Sequence, residues 1–140
     1  MRAIVALALI LAACSGSGSS PSEEASPSEQ VRPTLTGTFT LHDERGWTAG
    51  GTCRGGGGYS DILVGMGMTL RDGEGTVLGT SRLSTGTASD DGKACVFEFG
   101  FEAVPPADFY AIDAGRRGEQ TYSAAELEQQ DWTISLGIGR

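Results

Sequence analysis

The sequence predicts an all-β domain, a two-sheet β-sandwich of six to seven strands with one short helix near the C-terminus; the alternative is a small β-barrel. Three observations predict it. From Thr34 onward, apolar residues recur with period two, the spacing of a half-buried strand. The alternating segments are short and are separated by turns built from Gly and Asp, in a chain with 22 glycines. Only one stretch carries a helix-start signal.

The first strand is TLTGTFTLH, with Leu35, Phe39 and Leu41 on one face and Thr34, Thr36, Thr38 and Thr40 on the other. In ILVGMGMTLR, the alternation puts Val64, Met66, Met68 and Leu70 on a shared face, and Gly65 and Gly67 leave room for another element to approach. Arg71 to Gly75 is a turn, and Thr76 to Leu83 is its hairpin partner. ACVFEFGFE alternates cleanly, with Cys95, Phe97, Phe99 and Phe101 on one face. Pro105-Pro106 breaks the chain before a strand over Phe109–Ala114. Ser123-Ala124-Ala125-Glu126 is a capping box that opens a helix reaching about Gln130. DWTISLGIG closes the domain, with Trp132, Ile134, Leu136 and Ile138 sharing a face.

Ahead of this domain the composition changes. Arg2 is followed by an apolar run from Ala3 to Ala13, shorter than the roughly 20 residues that span a bilayer, and it reads as a secretory signal segment over residues 1–13. Leu11-Ala12-Ala13-Cys14 at its end resembles the lipobox of bacterial lipoproteins. The resemblance implies cleavage before Cys14, a lipidated Cys14, and anchoring on the extracytoplasmic face of the cell membrane by acyl chains, each buried CH₂ contributing about 0.8 kcal/mol. Residues 14–33 then form a Ser/Pro/Glu-rich tether, too poor in apolar residues to offset its chain entropy, with a typical reach on the order of 25 Å. Residues 34–140 form the sandwich.

The chain carries a net charge of −8, and loss of Arg2 with the signal segment makes it −9. An acidic chain with scattered arginines repels phosphate backbones, so nucleic acid is not the partner. With Cys14 assigned to the anchor, Cys53 and Cys95 remain, and in an exported protein an even pair is most simply a disulfide.

The run G-x-C-x-G-x-G-G-Y-x-D-I from Gly51, a strand with a D-G turn, a second cysteine in a Phe-rich strand, a V-P and a terminal W-x-I-x-L-x-I-G resembles small actinobacterial lipoproteins over Gly51 to Gly139. The resemblance implies a compact secreted β domain and supplies no catalytic residue.

The chemistry is sparse. His42 is the only histidine, so H-E-x-x-H is excluded, and neither G-x-S-x-G nor S-x-x-K occurs. His42 is expected as a solvated strand-end residue. Asp43-Glu44, Asp72 with Glu74 and Asp90-Asp91 fall in turns, and Gly92 takes the positive φ of its turn. Calcium is the one ion these carboxylates would suit, though none matches an EF-hand loop; no metal site or cofactor is expected. GGGG at Gly55–Gly58 lacks the Lys-Ser/Thr of a phosphate loop. It reads as a sharp bend restrained by the disulfide, and Trp47, Arg54, Tyr59 and Asp61 around it are the candidate binding patch. The expected function is a lipid-anchored, non-catalytic binding or accessory domain, with an envelope protein or a glycan as partner. The rival classes are an extracytoplasmic hydrolase using carboxylates or His42, and a structural spacer or complex subunit.

Overall fold

A computed structural model describes residues 31–139; the signal segment, Cys14 and nearly all of the tether lie outside the described residues. The domain is a β-sandwich of a five-stranded and a four-stranded sheet, neither closed into a barrel. Its nine strands are β1 (Leu35–His42), β2 (Thr52–Cys53), β3 (Gly67–Asp72), β4 (Val77–Arg82), β5 (Gly86–Ala88), β6 (Ala94–Phe101), β7 (Phe109–Asp113), β8 (Glu119–Ser123) and β9 (Thr133–Gly139), and helix α1 spans Ala124–Gln129. The sheet orders are β2-β5-β6-β1-β9 and β4-β3-β7-β8.

The alternation read from the sequence sets which side chains enter the core. Leu35, Phe39 and Leu41 of β1, Cys95, Phe97, Phe99 and Phe101 of β6, and Ile134 and Leu136 of β9 are buried from one sheet. Met68, Leu70, Tyr110 and Ile112 meet them from the other, in one continuous cluster. Burial of this apolar surface is the main force holding the two layers together.

β1 lies between β6 and β9 and fixes the axis of the molecule. It pairs antiparallel with β6, Leu35 opposite Phe101 and His42 opposite Ala94, and parallel with β9, Thr36 opposite Thr133 and His42 opposite Gly139. Pro33, the Val104–Phe109 stretch and α1 therefore gather at one pole. The long loop from Asp43 to Met66, the Ser89–Lys93 turn and the Ala114–Gly118 turn gather at the other, roughly 25 Å away at a strand rise of about 3.3 Å per residue.

The chain passes between the sheets at β4–β5. Here Ser84 N–H donates to Glu98 O (2.8 Å), Ser84 Oγ accepts from Glu98 N–H (2.8 Å), and Ser81 Oγ accepts from Gly100 N–H (3.2 Å). Helix α1 starts as the sequence predicts. Ser123 Oγ accepts from Glu126 N–H, and the Glu126 carboxylate accepts from Ser123 N–H at 2.7 Å. Its buried residue, Leu127, enters the core between the sheets.

The strand expected from Ile62 begins only at Gly67. Residues 63–66 form a turn in which Gly65 takes φ +86° and Met66 N–H donates to Leu63 O. The face shared with Met68 and Leu70 is lost before it reaches Val64, which is 56% exposed. No element makes a close approach on the side-chain side of Gly65 or Gly67, since a Cβ at either would meet nothing within 4 Å. β2, β5 and β8 are additional to the strands read from the sequence.

Candidate functional site

The CRGGGGYSDI loop begins at β2 and packs on the loop pole. The disulfide joins Cys53 of β2 to Cys95 of β6, with Cα atoms 5.8 Å apart, and ties the loop's first residue to the middle strand of the five-stranded sheet. Gly86 of β5 lies over this bridge. A Cβ there would come within 2.7 Å of Cys95 Sγ and 2.6 Å of both Cys53 O and the Phe97 ring, so only glycine lets β5 cross at this height.

Hydrogen bonds within the loop and from two arginines outside it hold it in place. Gly55 N–H donates to Ile62 O (2.7 Å), closing the loop at its base. A Cβ on Gly55 would drive into the Tyr59 carbonyl. The Gly56 carbonyl accepts from Arg45 Nη2 (3.0 Å) and from Tyr59 N–H (3.0 Å). The Gly57 carbonyl accepts from Ser60 N–H, and the Gly58 carbonyl accepts from Arg117 Nη2 (2.7 Å). Four glycines in a row would otherwise carry a large ordering cost on binding. Two arginines from distant turns, and the disulfide, have already met much of it.

The four patch residues separate into two places. Trp47 packs against the core, and its Nε1–H donates to Arg54 O (3.0 Å). Trp47 and Arg54 converge, with Leu63 and Val64, on a surface hollow of about 520 Å³ floored by Cys53 and Gly86. The Arg54 guanidinium makes no hydrogen bond or ion pair among the described residues.

Tyr59 and Asp61 do not line that hollow. They sit under Arg117, whose Nε donates to Asp61 Oδ2 (3.0 Å), whose Nη2 pairs with Asp61 Oδ1, and whose guanidinium carbon lies 5.1 Å from the Tyr59 ring centre. The Arg117 hydrogen bond holds the Asp61 carboxyl below the ordinary aspartate value of 3.8. Sequence reading missed Arg117 and Arg45. Arg117 acts across 56 residues, and no local spacing announces such a pairing.

Three of the six turn carboxylates are occupied by their own turns. Asp72 accepts from the N–H groups of Glu74 and Thr76, Asp91 from Ser89 Oγ–H and Lys93 N–H, and Asp43 from Arg45. Each has its pKa lowered, by the Thr76 N–H, the Ser89 hydroxyl and the Arg45 guanidinium respectively. Gly92 takes φ +68° in its turn, as the sequence predicts. Among the described residues, no three His, Cys, Asp or Glu side chains converge. His42 is exposed at the end of β1, and no side chain among the described residues hydrogen-bonds its ring.

Fold and site together define a disulfide-braced β-sandwich with a pre-ordered glycine loop beside a shallow, mainly apolar hollow. Compared with protein-family models, curated proteins and solved structures, the chain matches none.

Proposed function

We propose that the chain is a lipid-anchored envelope protein whose β-sandwich is a non-catalytic recognition domain on the extracytoplasmic face of the membrane, with the hollow beside the glycine loop as its binding surface. The observation that carries the binding half is the hollow itself: Trp47, Arg54, Leu63 and Val64 over the Cys53 floor, beside a loop ordered in advance. An aromatic and a planar cation are among the residue types that dominate binding patches, half-buried Leu63 and exposed Val64 add apolar surface beside them, and preorganisation lowers the ordering cost of using them. The anchoring half is supported by Leu11-Ala12-Ala13-Cys14 at the end of the apolar run.

Each half has its own test. Cys14→Ala should move the protein from the membrane to the soluble fraction; continued partition into detergent would remove the anchor. For the hollow, photo-crosslinking in intact cells identifies the captured partner, and Arg54→Ala with Val64→Ser should abolish capture while circular dichroism stays unchanged. Undiminished capture by that folded variant would remove the hollow.

A further inference from the structure

We propose that β9 is a self-association edge, through which two copies pair antiparallel and join their five-stranded sheets into one. β9 is the outermost strand of its sheet, and among the described residues nothing pairs with its outer side. Thr36 N–H donates to Trp132 O at 2.9 Å. In a parallel ladder alternate residues turn their N–H and C=O groups to the neighbour. Residues 132, 134, 136 and 138 therefore face β1, and Thr133, Ser135, Gly137 and Gly139 present their backbone groups outward.

Natural sheet edges are kept from pairing by charge, proline, bulges or brevity. The other edges here fit that rule. β2 has two residues, β8 carries Glu119, and β4 runs along β6 with Ser81 bonded to it. β9 has seven residues, TISLGIG, with no charge and no proline.

The strand is complementary to itself. An antiparallel two-fold centred on Leu136 sets Ser135 opposite Gly137 and Thr133 opposite Gly139 of the second copy. Every one of these residues is in the outward set, so they form hydrogen-bonded pairs. In this register the paired residues, Thr133 to Gly139, carry no charge, so the contact is a neutral strip. In a protein of net charge −8, such a strip is where two copies approach without repulsion. Beside it, in the gap between β8 and β9, lies a mainly polar hollow of about 170 Å³ lined by Arg117, Glu119 and Gln120 together with Phe39, Leu136 and Ile138. In this register Ile138 lies opposite Ile134 of the second copy. The inference is independent of the anchor and of the hollow at the glycine loop.

Amide hydrogen exchange on the unsubstituted full chain tests it directly. With rising protein concentration, the amides of Ser135 and Gly137 should slow toward those of Ile134 and Leu136. Exchange at unprotected rates at every concentration overturns the proposal. In membranes, Ser135→Cys with a short bis-maleimide should give a cross-linked dimer, which the added change Gly137→Lys should remove. Thr87→Cys, exposed on the same sheet away from the edge, should give none, and the unsubstituted chain controls for Cys14. Equal cross-linking from Thr87→Cys, or none from Ser135→Cys in a chain whose dichroism is unchanged, overturns it as well.

Discussion

Gly55 and Gly58 stand three residues apart in the same tetraglycine and have opposite tolerances. A Cβ on Gly55 meets the Tyr59 carbonyl, whereas a Cβ on Gly58 meets nothing within 4 Å. Gly55→Ala should therefore destabilise the domain by about 1–3 kcal/mol, as backbone must shift to admit the methyl. Gly58→Ala should stay within about 0.5 kcal/mol. Urea unfolding midpoints of the two variants separate the outcomes. Asp61 gives a pH signature. Its folded pKa lies below its unfolded value, so the stability from its pairing with Arg117 is fully present above about pH 4 and is lost as pH falls through the lower folded value. Asp61→Asn should lower the urea midpoint at pH 7, and the gap from the unsubstituted protein should close toward pH 2.

At the level of elements, α1 is short enough that its ends decide its fate. Six residues cannot hold a helix by propensity, so the capping box and Leu127 must do so. Ser123→Ala should cost about 1 kcal/mol through the lost cap, and Leu127→Ala about 2–5 kcal/mol through the cavity between the sheets. Thermal denaturation should rank them in that order. The same elements show what was legible in the sequence. β1, β6 and β9 alternate over seven or eight residues with one face in the core, and the pattern names their large buried residues, though Ile138 is only half-buried and Ala94 is buried without being named. β2 and β5 have two and three residues, too few for a period to register. β8 is an edge strand with no fully buried side chain, so no apolar face marks it. Val64 misled because its pattern continues that of Met66, Met68 and Leu70 while the backbone turns at Gly65. At the site, Trp47 and Arg54 were legible as loop residues beside a glycine run. The clamp on Tyr59 and Asp61 was not, since Arg117 comes from a turn with no motif of its own.

Across the whole molecule, the covalent link carries a large share of the stability. Cys53 and Cys95 are 42 positions apart, and the bridge spans the edge strand and the middle of the same sheet. Cys95→Ala should lose on the order of 2–5 kcal/mol. Non-reducing peptide mass spectrometry of the unsubstituted protein should recover one Cys53–Cys95 peptide pair and neither thiol free.

The parallel pairing of β1 with β9 sets a schedule for how the protein is made. Thr36 and Thr133, whose hydroxyls meet at 3.4 Å, are 97 residues apart in a chain that is delivered N-terminus first. β1 must wait with one flank bare until β9 arrives, and closing so long a loop is slow. The domain cannot be assembled hairpin by hairpin behind a moving ribosome. It completes only when nearly all of it has been released. A chain halted before Thr133 would leave β1 as an open edge and the Phe39 and Leu41 side of the core uncovered, a ready substrate for the proteases that clear unfinished proteins.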